Sequence, residues 1–217
     1  MKILILGDIH GRDFWIKPCE NIDDFDKVVF LGDYHDPYPY QVSDRVSRHI
    51  LRDKLVPFIE SHQDKVICLM GNHDCNYIMG RMAPRYDYYH HKEIHLLLKK
   101  MNLKLAYQVD NYLFTHSGVL PEWLELNNII LKDVLDDNIP IDVLNQVSPN
   151  RGGMDSVGSC VWGDVSEYFL SKKIPGLYQI FGHTQLEKGI ITDEFACLDC
   201  RKPFVLDTET KILKELV

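Results

Sequence analysis

The sequence predicts an α/β (α+β) fold in which a sheet-on-sheet core is flanked by helices. Three observations lead to this prediction: short continuous apolar runs that stop at glycine, helical periodicity between those runs, and a β-rich pattern after residue 183. Continuous apolar runs are typical of strands that are covered on both faces, as in a mainly parallel sheet.

The apolar runs share one form. Three of them begin at lysine and stop at glycine followed by an acidic or amide residue, and two end at histidine: Lys2–Asp8, Lys27–Asp33, Lys65–Asn72, Tyr112–His116 and Leu177–His183. We expect each run to be a strand whose carboxyl end carries a polar side chain.

Helical spacing and turn signals fill the remaining chain. One helix is indicated by Val46, Ile50, Leu55 and Ile59, with a cap at Ser43 and a kink at Pro57. Further helices are expected over Ile94–Met101 and Asn127–Asp136. A hairpin is expected over Lys104–Thr115 with its turn at Asp110-Asn111, followed later by short antiparallel strands at 188–192, 195–199, 203–207 and 211–216.

Length and charge limit the possible functions. The chain has 217 residues and 45% hydrophobic composition, so one domain over residues 1–217 could bury roughly 70% of its unfolded surface. With 24 basic and 32 acidic residues the net charge is −8, which argues against stable nucleic-acid binding. A small phosphorylated substrate is not excluded, because a local site can be positive on a negative protein.

The apolar runs are also too short for a membrane protein. None approaches the roughly 20 residues that span a bilayer, and the N-terminal run Ile3–Leu6 is too short for a signal peptide. We therefore expect a cytoplasmic chain with no membrane partner and six reduced cysteines. The oligomeric state is left open.

Potential metal ligands follow the predicted strands. Open α/β sheets carry their sites at the carboxyl ends of the strands. The side chains at these ends are Asp8 with His10, Asp33 with Asp36, Asn72 with His73, His116, and His183. Carboxylate, imidazole and amide oxygen are suitable ligands for two hard-to-borderline divalent ions. The sequence therefore predicts a metal site.

The same residues form five ordered motifs that cover most of the chain. The motifs are Gly7–Gly11 (GDIHG), Gly32–Asp36 (GDYHD), Gly71–Asp74 (GNHD), Thr115–Gly118 (THSG) and Gly182–Thr184 (GHT). Together they resemble the signature of the calcineurin-like metallophosphoesterases, nearest to the serine/threonine phosphoprotein-phosphatase branch of bacteria and phages. This resemblance implies a two-sheet β-sandwich flanked by helices and the hydrolysis of phosphate esters.

The resemblance also implies a role for each motif residue. Asp8 and His10 would hold the first metal, Asp33 would bridge both metals, and Asn72, His116 and His183 would complete the second. His73 would protonate the leaving oxygen, with Asp36 holding the imidazole in the right tautomer. The expected cofactors are two divalent metal ions, Mn²⁺ in vitro, although Fe, Zn²⁺ or others suit the same ligands.

Two cations about 3.5–4 Å apart would neutralise the phosphate and activate a bridging water for in-line attack. Thr184-Gln185 stands where many nucleases and diesterases of the superfamily have a second histidine, which favours a phosphomonoesterase. The expected substrate is a phosphorylated small molecule, a nucleotide or a phosphoprotein. Hydrolysis of dinucleoside polyphosphates or phosphodiesters remains the alternative, and a non-catalytic scaffold is a third hypothesis.

One position departs from the family pattern. Pro37 stands where family phosphatases commonly have a phosphate-binding arginine directly after the second-motif aspartate. A bidentate guanidinium suits phosphate, so the arginine that binds it must come from elsewhere in the chain, or the phosphate is bound weakly. Arg151 is the first candidate, then Arg85, and Arg12 is a third.

Four other features are interpreted as structural. They are a second-shell or solvent-facing His35, a surface helix start at His90, His91 and His95, ordinary thiols at Cys197 and Cys200, and a core aromatic at Trp162.

Overall fold

The computed structural model describes residues 1–81 and 83–216. Contacts divide the chain into two compact units, of which the first comprises Met1–Leu103 with the chain from Arg201 onward and the second comprises Lys104–Cys200. Each unit contains one mixed five-stranded sheet with helices, so the fold class expected from the sequence is confirmed. The expectation of a single domain over residues 1–217 stays a prediction.

The strands are β1 (Lys2–Leu6), β2 (Lys27–Phe30), β3 (Val66–Cys68), β4 (Ala106–Val109), β5 (Tyr112–Thr115), β6 (Tyr178–Phe181), β7 (Ile190–Ile191), β8 (Phe195–Cys197), β9 (Pro203–Asp207) and β10 (Ile212–Glu215). The α-helices are α1 (Ile16–Cys19), α2 (Asp44–Ile50), α3 (Val56–Ser61), α4 (Asn72–Met79), α5 (His91–Lys100), α6 (Pro121–Asn127), α7 (Leu131–Leu135), α8 (Ile141–Leu144) and α9 (Val165–Leu170). A π-helical segment spans Leu51–Leu55, and 3₁₀ turns span Ile22–Asp24 and Pro149–Arg151.

In the first unit the strand order is β10-β9-β1-β2-β3. Strands β1, β2 and β3 are parallel and in register, with Leu6 opposite Phe30 and Phe30 opposite Cys68. The apolar run of β1 is fully buried, as a strand covered on both faces requires. Since the three parallel strands end level with one another, the first three motifs begin side by side.

In the second unit the order is β4-β5-β6-β8-β7, and β5, β6 and β8 run parallel. The hairpin of β4 and β5 turns at the predicted place, where Asp110 adopts φ 51°. The strands before the last two motifs are therefore neighbours. Beyond their ends, the backbone N–H of Gly182 donates to the carbonyl of His116 at 2.7 Å.

The helix predicted from Val46 to Ile59 is present, and its irregular spacing has a structural cause. Ser43 caps it, because its hydroxyl accepts the backbone N–H of Val46 at 3.4 Å. The step of five residues from Ile50 to Leu55 coincides with the π-helical segment, which lies directly before Pro57. Val46, in the first turn of α2, is exposed, whereas Leu55 and Ile59 are buried.

The helix expected over Asn127–Asp136 is present but shorter, as α7 (Leu131–Leu135), and a separate helix α6 precedes it. Helix α6 ends at Asn127 because Asn128 takes the left-handed conformation, with φ 52°. A second helix, α7, begins at Leu131, where the Asp133 carboxylate accepts the backbone N–H of Ile130. Val134 and Leu135 lie in α7 as the spacing indicated, Ile130 lies directly before it, and α6 was not predicted.

The four strands predicted after residue 183 are all present, with shorter bounds for β7, β8 and β10. Their pairing is antiparallel except that β8 pairs in parallel with β6. All six cysteines are buried as thiols. Over the two described stretches, no helix has the length and hydropathy needed to cross a membrane.

Candidate metal centre

The first two motifs are joined by backbone hydrogen bonds just beyond β1 and β2. The N–H of His10 donates to the carbonyl of Asp33 at 2.6 Å, and the N–H of Gly11 donates to that of Tyr34 at 3.1 Å. His10 and Asp33 both adopt positive φ, which turns their side chains out of the strand direction. As a result, carboxylate oxygens of Asp8 and Asp33 lie within 4.8 Å of each other, and both residues are buried.

The imidazole of His10 is oriented by one hydrogen bond. Its Nδ1 donates to the carbonyl of His35 at 2.9 Å, which leaves the lone pair on Nε2, 3.5 Å from Oδ2 of Asp33. Burial lowers the pKa of His10 to about 3, against the charge of Asp33, so the neutral ligand form is favoured. A histidine with one nitrogen tied to a carbonyl is typical of metal ligands.

His35 is not solvent-facing, which corrects one of its two predicted placements. It is buried, and its Nδ1 lies 2.5 Å from the hydroxyl of Ser47. Its carbonyl holds His10, so its contact with the site runs through the backbone.

Asp74 supports the site and was missed by the sequence reasoning. Its carboxylate accepts three backbone N–H groups, from Asp33 at 2.8 Å, Tyr34 at 3.1 Å and Gly71 at 2.8 Å. Asn72, the first residue of α4, is thereby fixed beside Asp33 and is buried. The available signal was an acidic residue three positions after the glycine that begins the helix, a capping pattern.

His73 and Asp36 form a buried pair. Nδ1 of His73 lies 2.6 Å from Oδ2 of Asp36, and the hydroxyl of Tyr77 donates to the other carboxylate oxygen. Burial raises the pKa of Asp36, and the hydrogen bonds from His73 and Tyr77 oppose that rise. The sequence predicted the pair from the motifs, whereas Tyr77 was not predicted.

Arg85 reaches this pair from the loop after α4. Its guanidinium donates to the backbone carbonyl of Asp36 and lies 2.9 Å from Nε2 of His73. It also stacks on the ring of Tyr38, with 3.9 Å between the guanidinium carbon and the ring centroid. The guanidinium therefore lies against the peptide that precedes Pro37.

Arg12 is more deeply buried than Arg85. Its Nη1 donates to the carbonyl of Asp8 at 3.0 Å and its Nε donates to the side chain of Gln41 at 2.9 Å. The side chain is largely buried. These contacts brace the loop of the first motif.

In the second unit two imidazoles face each other. Nε2 of His116 lies 3.1 Å from Nδ1 of His183, and both residues are largely buried. His183 adopts φ 64°, directly after β6. Arg151 donates from Nε to Nε2 of His183 at 2.9 Å and from Nη2 to its carbonyl at 2.7 Å.

Trp162 is not a core aromatic. It is partly exposed and stands edge-on to His183, with 5.8 Å between the ring centroids. By contrast, His90 and His91 lie at the start of α5 as predicted.

The predicted site residues are divided between the two units. The first contains Asp8, His10, Arg12, Asp33, Asp36, Asn72, His73 and Arg85, and the second contains His116, Arg151 and His183. Paired carboxylates beside an imidazole lone pair, and two facing imidazoles, are donor sets that fit divalent metal ions.

Comparison with known proteins agrees with this donor set. The family model described as calcineurin-like phosphoesterase matches residues 1–186. No curated protein matches the sequence.

Two solved structures show the same fold. A cold-active protein-tyrosine phosphatase of a psychrophilic Shewanella is 15% identical with a TM-score of 0.58, over 100% of this chain and 80% of that one. A protein serine/threonine phosphatase of Saccharomyces cerevisiae is 16% identical with a TM-score of 0.51, over 100% and 79%. At this identity the likeness concerns the fold.

Proposed function

The chain belongs to the calcineurin-like phosphoesterase family and is a metal-dependent phosphoesterase, and from this premise we propose that it hydrolyses phosphate monoesters with two divalent metal ions. The observation that carries the proposal is the setting of Asp33. Its carboxylate lies within 4.8 Å of that of Asp8, 3.5 Å from the free nitrogen of His10, and accepts the backbone N–H of His73.

We propose that Asp8, His10 and Asp33 hold the first ion and that Asp33, Asn72, His116 and His183 hold the second. When bound, two such ions neutralise phosphate charge and lower the pKa of a water that attacks phosphorus. The chain contributes the orientation of the ligands. The His35 carbonyl fixes His10, and the carboxylate of Asp74 fixes the backbone that carries Asp33.

His73 is proposed as the general acid. Its Nδ1 donates to Asp36, so Nε2 is the atom that would give a proton to the leaving oxygen, after the guanidinium of Arg85, which can only donate, has moved from Nε2 to the phosphate. Asp36 is buried and keeps the ring in this orientation, in the way a carboxylate behind a catalytic histidine does.

Two arginines are proposed to bind the phosphate. Arg85 is 2.9 Å from Nε2 of His73, so an ester oxygen beside that nitrogen would be within its reach. Arg151 lies against His183 in the second unit. Arg12 is the weaker candidate, because its guanidinium already braces the loop of Asp8. Arg85 and Arg151 would replace the phosphate-binding arginine that family phosphatases have at the position of Pro37.

Three observations support a monoester substrate. The histidine after β6 is followed by Thr184-Gln185, without the second histidine of many diesterases. The two structures that share the fold are named as protein-tyrosine and protein serine/threonine phosphatases. Arg12 and Arg85 also both lie over the ring of Tyr38, and their positive charge suits a dianionic group better than a diester. A phosphoprotein or a smaller phosphomonoester, including a nucleotide, fits these features.

The test is a comparison of three substrates. Metal-stripped protein is supplied with Mn²⁺, and in separate samples with Zn²⁺ or Fe²⁺, then assayed with an aryl phosphate monoester, an aryl diester and diadenosine tetraphosphate. We expect the monoester to give the highest kcat/KM. Activity confined to the other two substrates would overturn the monoester assignment, and no hydrolysis with any metal would favour a scaffold.

A further inference from the structure

We propose that Tyr77 is a positioning residue for the hydrolysis, acting through Asp36 on the orientation of His73. The inference rests on the proposed function and adds a residue that no motif of the chain marks. Four groups form a continuous series of hydrogen bonds: the backbone N–H of Asp87, the hydroxyl of Tyr77, the carboxylate of Asp36 and the imidazole of His73. We call this series the Tyr77 chain.

The direction of each hydrogen bond in the Tyr77 chain follows from its first member. The backbone N–H of Asp87 can only donate, and it donates to the Tyr77 oxygen at 2.8 Å. The hydroxyl proton of Tyr77 is therefore directed to Oδ1 of Asp36. Oδ2 of the same carboxylate is left for Nδ1 of His73, at 2.6 Å.

The Tyr77 hydroxyl is held in place from several sides. The side chain is 2% exposed, and its ring stacks on Tyr86 with 4.4 Å between centroids and 17° between planes. Nδ1 of His95 lies 2.9 Å from the backbone carbonyl of Tyr77. A hydroxyl with so little freedom can fix the group that it contacts.

The start of the Tyr77 chain is anchored as well. The carboxylate of Asp87 accepts from the guanidinium of Arg48 and from the backbone N–H of His90, the latter at 3.1 Å. The backbone of Asp87, which orients the Tyr77 hydroxyl, is thus tied to helix α2 and to the start of α5.

The Tyr77 chain keeps the imidazole of His73 in one orientation during the reaction. Asp36 is fully buried, and with both oxygens bonded it cannot rotate about its last torsion without breaking a hydrogen bond. His73 then presents Nε2 in one direction. Without the Tyr77 hydroxyl, Oδ1 would lose a buried donor and the carboxylate would be free to turn.

A loss of proton delivery should depend on the leaving group. Phenol is a poor leaving group and needs a proton as it departs, whereas 2,4-dinitrophenolate leaves without one. With Mn²⁺-loaded protein, we expect Tyr77→Phe to lower kcat about 10- to 100-fold for phenyl phosphate and less than about 3-fold for 2,4-dinitrophenyl phosphate. KM should change little for either substrate.

Tyr86→Phe is the matched control. It removes a hydroxyl from the partner in the same ring stack and leaves the Tyr77 chain intact, so it should change kcat by less than about 2-fold on both substrates. Equal losses on the two substrates in Tyr77→Phe, or the same selective loss in Tyr86→Phe, would overturn the inference while leaving the phosphoesterase assignment intact. No hydrolysis by the unsubstituted protein would overturn both.

A second measurement needs no substitution, in case Tyr77→Phe does not fold. In protein labelled at tyrosine and histidine, NMR should show the Tyr77 hydroxyl proton and the His73 Nδ1 proton in slow exchange with water, because both donate to a buried carboxylate. A rapidly exchanging Tyr77 hydroxyl proton in the folded protein would contradict the inference.

Discussion

At the scale of single residues, Asp33 presents two carboxylate oxygens, of which an amide would keep only one. Oδ1 accepts the N–H of His73 at 2.9 Å, and Oδ2 faces Nε2 of His10. We expect Asp33→Asn to lower kcat at least about 100-fold, since the amide nitrogen cannot bind a cation. Enzyme kinetics and the metal content of the purified variant would measure this.

Asp23→Asn is the matched control for that substitution. Asp23 is exposed and pairs with Lys65 at 2.8 Å on the surface, so the same chemical change there should leave kcat within about 2-fold. Full activity in Asp33→Asn would remove this residue from the proposed metal site.

The planar group of Arg85 gives a second prediction. The guanidinium stacks on Tyr38 while donating to the carbonyl of Asp36, and a lysine ammonium has no planar group that could stack and also bind phosphate through two parallel N–H groups. We expect Arg85→Lys to raise the KM for an aryl phosphate about 10-fold with a smaller change in kcat. Steady-state kinetics measure it, and Arg81→Lys at an exposed position nearby is the control. An unchanged KM would exclude Arg85 as a phosphate ligand.

The sequence predicted the proposed ligands because each stands directly after an apolar run, where parallel strands end together. It could not predict Asp74 or Tyr77 as supports, since their roles depend on contacts with Asp33, Tyr34, Asp36 and Asp87, up to 41 positions apart along the chain. The setting of Trp162 beside His183 has the same cause. Residues that act through tertiary contacts leave no local pattern.

At the scale of elements, an alanine at Gly80 would meet backbone strain alone, whereas one at Gly118, where φ is 88°, would meet strain together with a steric clash. Gly80 ends α4 with φ 68° and open space around its Cβ position, whereas a Cβ at Gly118 would lie 2.4 Å from the Tyr168 ring. We expect Gly80→Ala to lower the free energy of unfolding by about 1 kcal/mol and Gly118→Ala by more than about 3 kcal/mol. Urea denaturation measures both, and equal losses would show that the clash at Gly118 is relieved by movement of Tyr168.

Helices and strands were predicted correctly where the spacing of apolar residues reflects their burial. The bounds of the helices were predicted less well, because they depend on single backbone torsions. The step of five in the helix after Ser43 was visible in the sequence, and the π-helical turn that produces it needs the whole packed helix. The spacing of Val134 and Leu135 indicated α7, whereas α6, which ends before the left-handed Asn128, was not predicted. The strands after residue 183 were all predicted, but the parallel pairing of β8 with β6 was not.

At the scale of the whole molecule, bound metal should stabilise the folded chain. A ligand that binds only the folded state at 100 times its Kd adds about 2.7 kcal/mol to the free energy of unfolding. We expect Mn²⁺ to raise the Tm of the metal-stripped protein, with no comparable rise for Asp33→Asn. Calorimetry at several Mn²⁺ concentrations measures this, and an equal rise in both proteins would place the binding elsewhere.

The order in which the chain is synthesised also determines when the first sheet can be completed. Strand β1 pairs along its full length with β9, which is synthesised only after Lys104–Cys200 has been made. About 200 residues separate the two strands, so at about 5–20 residues per second the ribosome leaves that edge of β1 unpaired for roughly 10–40 s. During this interval the nascent chain presents an apolar strand edge to chaperones or to other chains, so translation speed over the middle of the message should influence the yield of folded protein.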